Sequence, residues 1–162
     1  MKNKNFTSIN KFLKKFNIKS FNSKSKVNSY KKFFDLDKLV KNIPEDKVVD
    51  KSKKHLINVM KNYKKPHIFE MDDLCRLHWI VLRKKIFNTL EIGSGYSTVF
   101  IADACNILSN FFKDVKNIRV EKKFHIYSLE ESKNFLKITK KRIPKYLKKH
   151  VTLINSKNKL IE

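Results

Sequence analysis

The residues that decide the fold are Leu90-Glu91-Ile92-Gly93-Ser94-Gly95-Tyr96-Ser97-Thr98. An apolar run over 86–92 precedes the glycines, and a run with helical periodicity over 97–112 follows them, which predicts a buried strand that turns into a helix. The chain of 162 residues has only 2 glycines, and both lie in this stretch. Gly93 allows the positive φ of a tight turn, and Gly95 allows a ligand to approach the backbone. The stretch therefore predicts a binding loop at the end of a strand.

The residues around this loop predict an α/β fold. Strands are expected over 86–92, 124–129 and 151–154, and helices over 97–112 and 132–147, with Pro144 ending or kinking the second helix. This alternation predicts right-handed crossovers and a parallel sheet. Two further helical runs, over 46–63 and over 72–85, precede the first strand. The chain thus divides into a basic tail (1–34), a helical lead-in (35–85) and a sheet-forming part (86–162).

The tail contains ten lysines and no acidic residue. Its apolar residues fall at helical spacing and predict a short basic amphipathic helix; they are Phe6, Ile9, Phe12, Leu13 and Phe16. Such a helix can pack on the domain, fray in solution or lie on a membrane surface. Packing or fraying is favoured over the membrane surface. The residues over 22–29 are expected to form a polar linker.

The net charge is +23, from 38 basic and 15 acidic residues. Only four of the basic residues are arginines, whereas nucleic-acid interfaces favour arginine. Abundant Lys, Asn, Ile and Phe are also what A/T-rich codons produce, so composition alone accounts for most of the charge. No apolar run is long enough for a transmembrane helix, and two cysteines make no disulfide framework. Because no apolar h-region follows the N-terminus, a secretory signal is not expected. A reducing, cytoplasmic location is therefore expected.

The polar residues of the loop indicate the charge of its ligand. The first turn of the following helix, which Ser97 or Thr98 can cap, attracts an anionic group. Glu91 at the strand end repels a phosphate but can receive an ammonium group. The expected ligand carries both charges, as an amino acid moiety does.

The segment from Leu90 to Gly95 resembles motif I of the class I S-adenosylmethionine-dependent methyltransferases, which is an apolar strand, an acid, one residue and Gly-x-Gly. The resemblance implies a Rossmann-like parallel sheet with flanking helices, in which this loop holds the methionine end of S-adenosylmethionine. The residues of the chain that match the cofactor loop are Glu91, Gly93, Ser94, Gly95, Tyr96, Ser97 and Thr98.

The resemblance extends to the end of the second strand, where family members bind the cofactor ribose hydroxyls with an acid. Glu130 matches that position and Glu131 is the alternate. Asn155 and Ser156 occupy the region near the adenine, and neither is acidic. The interval from Gly95 to Glu130 exceeds the roughly 20 residues of the dinucleotide-binding unit, and the excess lies over 113–123. The nicotinamide alternative requires glycine at position 98, where the chain has threonine.

The family domain has seven strands, and about three are expected here, so the resemblance implies the cofactor half without the catalytic half. No catalytic residue is assigned, and enzymatic activity stays open. Cys75-x-x-His78 is interpreted as helix packing, and no metal site is expected. The first strand would present an exposed apolar edge, open to self-association or to a completing polypeptide.

The sequence thus predicts the S-adenosylmethionine-binding part of a class I methyltransferase, with an unknown methyl acceptor. The alternative is a Lys-rich nucleic-acid-binding protein without catalytic activity.

Overall fold

The computed structural model describes residues 5–41, 70–112 and 119–156. The helix predicted over 46–63 lies outside these ranges. In chain order the elements are α1 (Phe6–Leu13), a 3-10 helix (Ile18–Asn22), α2 (Lys24–Phe34), α3 (Asp37–Lys41), α4 (Met71–Lys84), β1 (Asn88–Ile92), α5 (Tyr96–Phe111), β2 (His125–Glu130), α6 (Lys133–Arg142), a second 3-10 helix (Lys145–His150) and β3 (Val151–Asn155).

The three strands form one parallel sheet in the order β1-β2-β3. In the register of β1 and β2, Glu91 pairs with Ser128 and Ile92 pairs with Leu129. Leu129 in turn pairs with Ile154 of β3. The α/β class and the parallel sheet predicted from the alternating order are confirmed. Because both crossovers run in the same direction along the sheet, right-handed connections place α5 and α6 on one face.

The two faces of the sheet differ in burial. Ile126 and Ser128 point to the helical face and are fully buried. On the opposite face Leu90 is 67% exposed and Ile92 is 90% exposed. The prediction that β1 is buried is therefore wrong for the face that carries Leu90 and Ile92, because the described helices cover only the opposite face of the sheet.

Helix α6 is shorter than the predicted helix over 132–147. Ser132 caps its start by accepting a hydrogen bond from the backbone N–H of Phe135, and the helix ends at Arg142. Pro144 follows two positions later, where its ring and missing N–H prevent an α-helix from continuing. The chain resumes as the second 3-10 helix, which leads directly into β3.

The N-terminal region is part of the same hydrophobic core. Ile9 and Leu13 of α1 are at most 1% exposed, so the apolar side of this helix is packed against the protein. The expected polar linker over 22–29 is wrong, because α2 begins at Lys24 and buries Val27 and Tyr30. The other buried residues contributed by this region are Phe16, Phe21, Phe34, Leu36 and Leu39.

A buried polar chain joins α2, α4 and α5. The hydroxyl of Tyr30 lies 2.9 Å from Nδ1 of His78, and Nε2 of the same imidazole lies 3.2 Å from Oδ2 of Asp103. Tyr30 and His78 are fully buried and Asp103 is 7% exposed. These contacts satisfy both imidazole nitrogens, so they fix α2 of the N-terminal region against α4 and α5. No helix within the described ranges has the length and apolar character needed to cross a membrane.

Candidate functional site

A cleft of about 520 Å³ lies at the carboxyl ends of β1 and β2. It opens where the chain passes from β1 into α5 and from β2 toward α6, so the two loops face each other across it. The residues that line it are Glu91, Ile92, Gly93, Ser94, Gly95, Ser97, Glu130 and Phe135. The glycine loop singled out from the sequence therefore forms one wall of an open cavity.

Gly93 makes the turn at the end of β1. Its φ of +87° lies in the left-handed region that side chains disfavour. Its backbone N–H donates to the carbonyl oxygen of Leu129 at 2.7 Å, so the turn is held against the neighbouring strand. This position requires glycine for conformational reasons.

Glu91 is held by hydroxyl groups from two elements. Its carboxylate accepts hydrogen bonds from Ser97, from Thr98 Oγ1 at 2.5 Å and from Ser128 Oγ at 2.7 Å. Ser97 and Thr98 belong to the first turn of α5, whereas Ser128 lies in β2. Glu91 therefore joins β1, β2 and the start of α5, and it positions the loop besides lining the cleft.

Glu130 closes the cleft from the other strand. Oε2 accepts from the backbone N–H of Ser94 at 2.9 Å and from its hydroxyl at 3.2 Å, while Oε1 accepts from the backbone N–H of Ser132 at 2.9 Å. Ser94 Oγ also lies 3.0 Å from Thr139 Oγ1 of α6. Donors from both loops thus orient the carboxylate, and each oxygen retains lone-pair capacity for a further donor.

Neither backbone conformation nor steric crowding requires a glycine at position 95. Its φ is −177°, which is extended backbone, and a Cβ at this position would meet no atom within 4 Å. Its backbone N–H donates to Thr98 Oγ1 at 3.0 Å, which begins α5. Ser, Asn or Asp would serve as well or better at this position before a helix. The absence of a side chain leaves open space in the cleft.

The cleft differs in charge from the rest of the protein. The chain carries +23, yet the described residues that line the cleft include two carboxylates and no lysine or arginine. An anionic ligand would meet Glu91 and Glu130 without a compensating cation from these residues. The electrostatics therefore favour a ligand with positive charge.

Six of the nine predicted cofactor residues line the cleft, and three lie elsewhere. Thr98 is fully buried beneath the loop, Glu131 is exposed outside the cleft, and the ring of Tyr96 packs 4.5 Å below the guanidinium of Arg142. Sequence reasoning missed Ile92 and Phe135 as lining residues. Both looked like ordinary core positions, because an apolar periodicity does not show which positions stay uncovered.

Asn155 lies at the same edge of the sheet, but its side chain forms hydrogen bonds with backbone carbonyl groups. Its side-chain amide donates to the carbonyl oxygens of Glu130 and Glu131, at 2.9 Å each. The backbone N–H of Ser156 also donates to the carbonyl oxygen of Glu130, at 3.0 Å. These contacts tie the end of β3 to the loop that carries Glu130.

Comparison of the chain with protein-family models, curated proteins and solved structures finds no match.

Proposed function

We propose that the cleft binds S-adenosylmethionine and that the sheet with its helices is the cofactor-binding part of a Rossmann-like class I methyltransferase. The methyl acceptor is unassigned, and so is any catalytic residue. When bound, the cofactor would supply an electrophilic methyl group on a sulfonium centre.

The observation that carries the proposal is the acidic cleft in a strongly basic protein. S-adenosylmethionine bears a sulfonium and an ammonium against a single carboxylate, so it is a net cation that suits a cleft with two glutamates. Dinucleotides and nucleic acids carry phosphates, which these carboxylates would repel. The charge of the cleft therefore favours the proposed cofactor over the nicotinamide and nucleic-acid alternatives at this site.

The residues present fit the cofactor in two further respects. The space above Gly95 is open, and no conformational or steric reason within the described residues explains this glycine. Glu130 is a fixed carboxylate beside the loop, and a carboxylate with two oxygens is suited to a pair of vicinal ribose hydroxyls. Glu91, Gly93, Ser94, Gly95, Ser97 and Glu130 are the residues that would hold the cofactor.

Calorimetric titration of the full chain with S-adenosylmethionine tests the proposal. Glu130→Gln removes the charge but retains the side-chain shape, and we expect binding to weaken about tenfold or more, because a hydrogen bond to a charged group contributes roughly 1.5–3 kcal/mol. Glu131→Gln is the matched control, since it removes an adjacent, exposed charge outside the cleft. Equal effects of the two substitutions, or no binding by the wild-type chain, would contradict the proposal.

Gly95→Val gives an independent test of the open space. The extended backbone accepts a side chain and no atom lies within 4 Å of its Cβ, so we expect the variant to fold with only a small loss of stability. The valine methyl groups would occupy the cleft, and S-adenosylmethionine binding should be abolished. A folded variant with unchanged affinity would place the ligand elsewhere.

A further inference from the structure

The segment that forms α6 and the second 3-10 helix is basic, and no aspartate or glutamate occurs over 132–156. Its exposed lysines are Lys133, Lys137, Lys140, Lys141, Lys145, Lys148 and Lys149. Lys140 of α6 and Lys148 of the 3-10 helix line the same groove of about 310 Å³, so lysines from both elements form one lysine surface. Within the described ranges, none of them pairs with a carboxylate.

The lysines of α6 share one face of the helix. At about 3.6 residues per turn they fall within an arc of about 100°; they are Lys133, Lys137, Lys140 and Lys141. Ile138 and Thr139 are buried on the side of the helix that faces the protein. The lysine face is therefore directed outward and is open to a partner.

Helix stability does not account for this arrangement. Lys133 lies in the first turn of α6, where the helix dipole disfavours a cation and where the helix has no acidic residue. Lys137 is four residues from both Lys133 and Lys141, and like charges at this spacing destabilise a helix. A polyanionic partner would replace this repulsion with attraction.

We propose that the lysine surface binds duplex nucleic acid through its phosphate backbone. A duplex carries one negative charge per about 1.7 Å of its axis, twice the density of a single strand, so a purely electrostatic contact favours the duplex. Lysine binds phosphate as a point charge, whereas arginine supplies bidentate contacts that read bases. The one arginine of this segment, Arg142, packs over the ring of Tyr96 instead. Binding should therefore be independent of base sequence.

The positions of the exposed apolar side chains favour a duplex over a single strand or a membrane surface. Single-strand sites add aromatic side chains on which bases stack. The exposed aromatic residues of the described ranges are directed to other sites, since Phe135 lines the cleft and Tyr146 lines a cavity with Asp35 and Asp103. A helix at a membrane surface inserts apolar side chains, and the lysine face of α6 includes none of the exposed large apolar residues. The proposed cofactor is not required for this binding.

Fluorescence anisotropy of the full chain with a labelled DNA duplex of mixed sequence, at several salt concentrations, tests the inference. We expect wild-type binding that weakens steeply as the salt concentration rises. A triple variant (Lys133→Gln, Lys137→Gln, Lys141→Gln) should bind about tenfold or more weakly. It should also reduce the slope of the logarithm of the association constant against the logarithm of salt concentration by about 2–3.

The matched control removes the same charge from exposed lysines of the N-terminal region (Lys11→Gln, Lys14→Gln, Lys15→Gln). We expect its affinity to change by less than about threefold, because charges away from the bound phosphates are screened by salt. Glutamine has nearly the helix propensity of lysine, so both variants should fold, and circular dichroism checks this. A second duplex of unrelated sequence should bind with the same affinity as the first.

Each of the other outcomes would overturn the inference. Absence of salt-dependent binding to the duplex would exclude the partner, and equal losses in the two triple variants would show that the charge acts diffusely. Tighter binding of a single strand of the same length would assign the surface to single-stranded nucleic acid. Binding to phosphatidylserine vesicles that the α6 variant loses, while its duplex affinity is kept, would assign the surface to a membrane.

Discussion

At the scale of single residues, the site depends on carboxylates held by hydroxyl and amide donors. Glu91 accepts three hydroxyl donors and Glu130 accepts two backbone N–H groups and one hydroxyl, so both are fixed before any ligand binds. Preorganised charges of this kind select a ligand without the cost of ordering side chains during binding. The same contacts also contribute to folding, because they join β1, β2 and α5.

Substitution of Glu91 should therefore affect stability as well as binding. In Glu91→Gln a neutral amide replaces the carboxylate that Thr98 and Ser128 contact, and hydrogen bonds to charged groups contribute about 1.5–3 kcal/mol. We expect the free energy of unfolding to fall by about 1–3 kcal/mol in urea titrations. Glu131→Gln, at an exposed position, should stay within about 0.5 kcal/mol of the wild type. Equal stability of the two variants would show that the Glu91 contacts contribute nothing.

The buried hydroxyl of Tyr30 gives a second prediction at this scale. Tyr30→Phe keeps the ring but leaves Nδ1 of His78 without this partner, and an unsatisfied buried polar group costs about 1–3 kcal/mol. Tyr146→Phe, at a residue 54% exposed, is the control and should change little. Thermal unfolding of the two variants compares them directly, and an equal melting temperature would argue against the polar chain as a link between α2 and α4.

At the scale of elements, the N-terminal helices belong to the domain. Trp79 of α4 donates from its indole Nε1 to the carbonyl oxygen of Leu13 at 3.2 Å, and Phe12 stacks on Phe33 with ring centroids 3.7 Å apart. These contacts use the apolar side of α1 that could otherwise lie on a membrane. Of the alternatives considered for α1, the structure supports packing on the domain.

The docking of α1 can be measured through the single tryptophan. Leu13→Ala creates a cavity where the side chain is 1% exposed, and we expect a loss of about 2–5 kcal/mol together with altered Trp79 fluorescence. Ile18→Ala removes an apolar side chain that is 56% exposed, and it should leave both measurements nearly unchanged. Leu13→Ala with wild-type stability would mean that α1 is not part of the cooperative unit.

The extent to which the fold and the candidate site could be predicted from the sequence differs from one element to the next. The strand–helix alternation and the glycine loop follow from local periodicity and turn chemistry, so the parallel sheet and most of the cleft residues could be predicted. The helix α2 could not, because a Lys-, Ser- and Asn-rich segment resembles a linker until Val27 and Tyr30 are placed in the core. The exposure of Ile92 depends on which face the helices cover, and this is a property of the assembled layers.

At the scale of the whole molecule, buried titratable groups set the pH range of stability. Burial raises the pKa of both thiols, Cys75 and Cys105, from 9.0 to about 12. The unfolded chain therefore releases these protons first, so their contribution is complete below about pH 9 and is lost as the pH rises toward 12. Burial lowers the pKa of His125 and His150 from 6.5, so their contribution is complete above that value and is lost as the pH falls below it.

The free energy of unfolding should thus be highest between about pH 6.5 and 9. Urea titrations in the presence of a reductant, followed by Trp79 fluorescence, measure this profile. Between about pH 9 and 10 each thiol should contribute a slope of up to about 1.4 kcal/mol per pH unit. A Cys75→Ala, Cys105→Ala double variant should have a shallower slope in that interval, and an unchanged slope would exclude the thiols as its source.

The charge preference of the cleft tests the central claim most directly. Calorimetric titration of the wild-type chain with S-adenosylmethionine and, in the same buffer, with NAD⁺ compares a net cation with a pyrophosphate ligand for the same glycine loop. The acidic lining predicts saturable, single-site binding of S-adenosylmethionine and little or no binding of NAD⁺. Tighter binding of NAD⁺, or binding of neither ligand, would contradict the assignment of this cleft as a methyltransferase cofactor site.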